Sequence, residues 1–464
     1  MNSFIIWPCI LGLSLAYTPD WDSLDSRPLP AWYDADKFGI FCHWGVFSVP
    51  AYKSEWIWSY WHDNNTDVVN YMNKNFPGLS YADLGAKFTA ADFNAETFAS
   101  IIKSSGAKYF VITTKHHEGY TLWPSSTSFN WNSVDLGSHR DLVGELKEAI
   151  VKEDIHFGTY FSQFDWFHPL YLNDKNEATR KYPDQVSLVQ MKELINNYKP
   201  DVLWSDGDWE RGDFYWSSKE FLAWLFTDSP VKDTIVVNDR WGIGVPQHHG
   251  SFISGPDKFM PGHLIKKKWE SCTTLDRESW GYRRNMRSSD VLTTKEVITL
   301  LTQVLAWGGN LLLNIGPDHL GNISPIFEDR LRDIGRFVNA NSEAIFETKP
   351  WIYQNESETI WYTSKANDLL SGNDYFNPQI EAVTTVYAFL LDWDDTVQLK
   401  LIKPTDNIKV TLLGTSITLK TTVKGGVFTV FLPSEKKFPH KDAIVLKIEN
   451  AKTDKYLPNV HDHF

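Results

Sequence analysis

The sequence predicts a (β/α)8-like parallel barrel followed by a C-terminal antiparallel β-sandwich, and three observations carry that reading. As far as about residue 349, apolar runs alternate with helix-like stretches, the rhythm of a parallel barrel. From about Trp351 short alternating runs with turn residues between them take over, as in a small sandwich. The length, 464 residues, exceeds what one compact core holds, so two domains are expected. The expected bounds are 17–349 for the barrel and 350–464 for the sandwich, after a leader over 1–16.

The barrel strands are expected at Phe38–Gly45, Tyr109–Lys115, His156–Ser162, Asp201–Asp206, Thr234–Asn238, Lys268–Ser271 and Asn310–Gly316. Those are seven runs, so an eighth is irregular or hidden. Helices are expected near Ala95–Ser105, Leu142–Lys152 and Ile326–Asn339, the last closing the unit. Six sandwich strands follow: Thr359–Thr363, Thr385–Leu390, Val397–Leu401, Lys409–Leu413, Val427–Leu432 and Ala443–Ile448. Ser371–Pro378 reads as a surface loop. His461–His463 reads as a solvated tail rather than a metal site.

Composition narrows the function. A formal charge of −13 argues against nucleic acid, which asks for basic patches. The 21 Trp, 19 Tyr and 28 Phe supply flat apolar faces, many with a polar handle, which suits a sugar ring. The start, an apolar run ending in Ser14 and Ala16, reads as a secretory signal peptide and is too short to span a membrane. Sequons at Asn64, Asn322 and Asn355 agree with passage through the secretory pathway, toward a lysosome or the exterior. Once a leader is removed Cys42 and Cys272 remain. Cys42 faces the helical layer if His43 faces the lumen, and Cys272 shares a face with Glu270, so two buried free thiols are expected.

The most informative segment is Asp201–Glu210, where Val202-Leu203-Trp204 breaks into Ser205, Asp206 and Gly207. Alternation puts Val202, Trp204 and Asp206 on one face. Barrel enzymes keep their chemistry at the C-terminal strand ends, so Asp206 is a candidate catalyst, with a helix-capping role as the plain alternative. Other strand ends are polar too: His43-Trp44, His116-His117-Glu118, Tyr160, Asp239-Arg240-Trp241 and Trp269-Glu270, with Glu55-Trp56 in the first loop. The base of the barrel is expected to show no equivalent set. Asp206-Gly-Asp208 lacks the further ligands of a calcium loop, so no metal or cofactor is expected.

Phe38–Gly45, Val46–Pro50, Ser54-Glu-Trp56, Thr114–Gly119, Trp204–Gly207, Ser279–Arg284 and Asn310–Pro317 together resemble α-L-fucosidases of glycoside hydrolase family 29, toward the animal lysosomal and secreted branch. The resemblance runs from about residue 20 to the end. It implies a retaining exoglycosidase that releases terminal α-L-fucose from fucosylated glycans, with two carboxyl groups in the roles of nucleophile and acid/base. Asp206 matches the nucleophile. For the acid, the loop 248–264 offers only Asp257, and Glu270 is the rival. His43, Glu55, Trp56, His116, His117 and Tyr160 match the fucose-binding set, Arg240 and Trp280 match it with looser flanks, and Trp204 joins as an apolar wall. The acid is expected in an aromatic pocket that raises its pKa. The competing class is a catalytically weak fucose lectin on the same fold. A homo-oligomer is compatible with all of this.

Overall fold

The computed structural model describes residues 16–177, 179–366, 384–452 and 461. The expected leader over 1–16 (but for Ala16) and the expected loop 371–378 fall outside these. Seven parallel strands form the barrel sheet: β1 (Phe38–Cys42), β2 (Tyr109–Lys115), β3 (His156–Ser162), β4 (Val202–Asp206), β5 (Val236–Val237), β6 (Glu270–Thr274) and β7 (Asn310–Ile315), in the order β5-β4-β3-β2-β1-β7-β6. Ile40 pairs with Phe110 on one side and Leu313 on the other, which places β1 at the centre.

The sheet curls until its two edges are joined by an irregular eighth piece. Ser251 N–H and Phe252 N–H donate to Val237 O at 3.0 and 3.3 Å. Ile253 N–H donates to Lys268 O at 2.8 Å, and Glu270 N–H donates back to Ile253 O at 2.8 Å. Residues 251–254 therefore close the ring without a full strand. The expected fifth strand shrinks to two residues because Thr234 and Ile235 are tied back to Val231 O in a turn. The sixth starts two residues later than expected, at Glu270, because Lys268 pairs with the closing segment.

Alternation sorts the barrel into two cores. Phe41, Tyr109, Val111, Tyr160, Val202, Trp204, Cys272 and Leu312 fill the lumen. Ile40, Cys42, Ile112, Leu203 and Leu313 face the helices. Cys42 and Cys272 are thus free, buried and on opposite faces of the sheet. The lumen is crowded at its base: a Cβ at Gly39 would collide with the Tyr109 ring, so only glycine fits there. Helices Ala95–Ser104, Leu142–Lys152 and Pro325–Ala340 form where their apolar periodicity falls, the first two capped by Asn94 and Asp141.

The expectation that the base holds no set of polar groups is overturned. Asp34 accepts from Lys37 at 2.7 Å and from Lys268 at 2.6 Å, and Lys349 also reaches it. Burial pushes the Asp34 carboxyl up, but the three ammonium groups outweigh it and hold it well below the usual range. Charge at the N-terminal strand ends is tolerated because each group has a partner there.

The C-terminal part is two antiparallel sheets. One has β8 (Lys349–Ser357), β9 (Ile360–Ala366), β10 (Thr384–Leu390), β12 (Lys409–Leu412) and β15 (Ile444–Glu449), in the order β12-β15-β10-β9-β8. The other has β11 (Thr396–Gln398), β13 (Lys420–Lys424) and β14 (Val427–Phe431). The strands β8 and β13 were not expected. Their own core includes Trp351, Tyr362, Val386, Leu412 and Phe428. His440 Nε2 meets Asp333 of helix Pro325–Ala340 at 3.3 Å while its Nδ1 accepts from Asp442 N–H, which ties the sandwich to the barrel. His461 is paired rather than loose: its N–H donates to Leu264 O, and its carbonyl accepts from Lys266 N–H, both at 3.0 Å. Among the described residues no helix is long and apolar enough to cross a membrane.

Candidate active site

A cavity of about 600 Å³ opens at the C-terminal ends of the barrel strands. Phe41, His43, Glu55, Trp56, His116, His117, Tyr160, Trp204, Asp206, Arg240, Asp257 and Trp280 all line it. Loops carry several of these, but each is anchored by a strand beneath it.

Asp206 ends β4, and alternation turns it into the cavity above Trp204 and Val202. Its Oδ2 accepts from Tyr160 OH at 2.6 Å, and its Oδ1 accepts from Arg240 at 3.0 Å. The same guanidinium donates to Asp257 Oδ1 at 2.8 Å and to Gly255 O at 2.9 Å. Arg240 also lies over the Trp204 ring, 4.7 Å from its centre. One arginine thereby holds two carboxylates, one at a strand end and one in a loop, at one cavity. The surroundings expected of a shielded acid are absent here, since the Asp257 side chain is 52% exposed and ion-paired.

The histidines are set by their outer hydrogen bonds. Asn314 Nδ2 donates to Thr274 Oγ1 and Trp280 O, so its Oδ1 is the acceptor for His43 Nδ1–H at 2.7 Å. Ser162 donates to Phe164 O, so its Oγ accepts from His117 Nδ1–H at 2.7 Å. Burial pushes both imidazoles well down, so both are neutral with a bare Nε2. The 3.6 Å approach of His117 Nε2 to Asp206 Oδ2 therefore joins two acceptors and is no ion pair. His116 Nδ1 meets Glu118 Oε2 at 3.2 Å. Glu55 Oε2 accepts from Trp280 N–H, Gly281 N–H and Ser279 Oγ at 3.0–3.3 Å, a cluster that locks the carboxylate in one orientation. Phe41, Tyr160, Trp204 and Trp280 make the apolar wall, with Tyr160 stacked on Trp204 at 5.7 Å.

Glu270 is elsewhere. It does not line the cavity, and both its oxygens are taken, by Trp204 Nε1 and by the hydroxyls of Tyr33 and Tyr109.

The α-L-fucosidase family profile matches residues 11–343, and that of the α-L-fucosidase C-terminal domain matches 354–449. The chain belongs to the α-L-fucosidase family. It is 53% identical to a putative α-L-fucosidase of Caenorhabditis elegans, over 97% of this chain and 96% of that one. It is 50% identical to the tissue α-L-fucosidase of Homo sapiens, over 87% and 85% of the two. The crystal structure of Thermotoga maritima α-fucosidase in complex with fucose superposes with a TM-score of 0.77 at 29% identity, covering 93% of this chain and all of that one.

In this α-L-fucosidase the cavity also includes residues that sequence reasoning passed over. Phe41 and Cys272 are lumen-facing and lie two residues from His43 and Glu270, so strand parity pointed to both. Asp208 and Trp209 follow the nucleophile candidate closely in sequence. Burial, with the neighbouring Asp206, pushes Asp208 up to about 6. Pro246 and Gln247 come from the loop after β5, which carried no readable signal.

Proposed function

We propose that this α-L-fucosidase removes terminal α-L-fucose from glycoproteins, glycolipids and oligosaccharides with retention, using Asp206 as nucleophile and Asp257 as acid and then base. The observation that carries the reading is the shared hold of Arg240 on both carboxylates at one cavity. Two acceptors on one planar guanidinium suit the short separation, about 5–5.5 Å, of retaining enzymes. Asp206 attacks C1 while the C1–O bond breaks and Asp257 gives its proton to the leaving oxygen. Water then attacks C1, gives its proton to Asp257 and releases Asp206.

His43, His117 and Glu55 offer acceptors whose other sides are fixed, so a sugar lacking the matching hydroxyl would strand a buried polar group. His116 and Trp56 complete that set, and Phe41, Trp204 and Trp280 give the C6 methyl an apolar seat. Trp209, 43% exposed at the rim and stacked near Trp56, is placed to carry the leaving-group sugar. Both carboxylates at the cavity favour catalysis over a lectin. Asn64, Asn322 and Asn355 are exposed, which permits glycosylation on a route to the lysosome or the exterior.

Asp206→Gly with a small anionic nucleophile tests the reading. Azide should restore part of the turnover and yield a fucosyl azide. If Asp208→Gly behaves so and Asp206→Gly does not, the nucleophile is misassigned. Asp257→Ala should cripple natural fucosides yet still form the fucosyl-enzyme from an activated aryl fucoside, and should lose the basic limb of the pH profile.

A further inference from the structure

The buried carboxylate Glu270 does not line the cavity, yet it touches Trp204, which does. It opens β6 at the base of the lumen and is only 1% exposed. Its Oε1 accepts from Trp204 Nε1–H at 3.0 Å, and its Oε2 accepts from Tyr33 OH and Tyr109 OH, both at 2.7 Å. Tyr109 reaches that point because Gly39 leaves its ring room. Burying an anion with three donors is costly, and a well-packed apolar base would serve stability as well or better. An orienting task accounts for keeping it.

Trp204 is the piece it orients. A flat ring on a strand can turn about its side-chain bonds, and a fixed Nε1–H removes that freedom. The indole stacks on Tyr160 and also meets the Arg240 guanidinium. Tyr160 and Arg240 are the two groups that hydrogen-bond Asp206, and Arg240 also holds Asp257. A short path thus runs from Glu270 through Trp204 to both carboxylates.

We propose that Glu270 is a positioning residue for the reaction: by fixing the Trp204 indole it sets the placement of Tyr160 and Arg240 on Asp206. This rests on the roles assigned above to Asp206 and Arg240.

The test is a double-mutant cycle of Glu270→Gln and Trp204→Phe, which removes the Nε1 donor, read as kcat and KM on an aryl and a natural fucoside and across pH. Glu270→Gln should lower kcat about 10- to 100-fold by misplacing reacting groups, with KM changed less than about threefold. The loss should be the same for both leaving groups, with the basic limb retained. The double variant should be no slower than Trp204→Phe alone, since both act on one contact. Additive losses would overturn the proposal. So would a Glu270→Gln loss confined to the natural fucoside together with a lost basic limb, which would make Glu270 the acid. Should Glu270→Gln not fold, Tyr109→Phe replaces it in the same cycle, with a smaller expected loss and the same demand for non-additivity. If Asp257→Ala keeps the basic limb, the proposed acid falls while the cycle stands on its own result.

Discussion

At the base of the barrel Asp34 is enclosed by Lys37, Lys268 and Lys349, whereas at the mouth Asp206 is held by Tyr160 and Arg240 and opens onto a cavity of about 600 Å³. Both carboxylates are buried and charge-paired. At the base three ammonium groups all turn to the one carboxylate of Asp34. The mouth leaves the bare Nε2 atoms of His43 and His117 unspent. Buried polarity by itself therefore does not mark the working end of a barrel. Polar groups fixed from behind and turned into a cavity do.

That contrast breaks if function and stability fail to separate between the two ends. The largest expected effect is at the mouth: Asp206→Gly should cost about a thousandfold or more in kcat with the thermal midpoint barely moved, as read by kinetics and calorimetry. At the base Asp34→Asn should do the reverse. Stranding three buried or half-buried ammonium groups should cost about 3–5 kcal/mol in urea unfolding, while kcat/KM of the folded protein stays within about twofold.

Asp208 sharpens the comparison, because it is a mouth carboxylate pushed up to about 6 from 3.8 by burial and by Asp206. A folded value above the unfolded one means the fold favours the protonated form. The stability it contributes is present below about 3.8 and is lost as pH rises through about 6. Asp208→Asn should therefore stabilise the protein at pH 7, on the order of 2 kcal/mol, and do almost nothing near pH 3.5. Thermal midpoints at the two pH values decide this, and a gain only at the acid end would show the sign to be wrong. The smallest effect is expected at the rim: Trp209→Ala should raise KM for oligosaccharides by about three- to tenfold and leave an aryl fucoside near wild type.

Much of this was legible in the sequence, and the failures have physical reasons. The apolar runs of β1–β4 and β7 mark buried parallel strands, and Val202-Trp204-Asp206 parity placed the nucleophile candidate on the lumen face. Parity could not give height. Glu270 and Cys272 share the lumen, but Glu270 opens its strand and lies at the base, while Cys272, two residues further on, lines the cavity. The closing segment 251–254 is too short to leave a strand pattern. Polar residues break the period-two pattern of β8, and Lys420-Thr-Thr-Val-Lys424 barely alternates. The Arg240–Asp257 bridge spans the closing segment 251–254, and no local spacing encodes it.

The central claim is that the mouth carboxylate Asp206 bonds the sugar. Trapping with 2-deoxy-2-fluoro-α-L-fucosyl fluoride, whose fluorine slows release of the intermediate, followed by peptide mass spectrometry, tests this most directly. The account predicts one added 2-deoxy-2-fluorofucosyl mass localised to Asp206; a label on Asp208, Asp257 or Glu270 would contradict it.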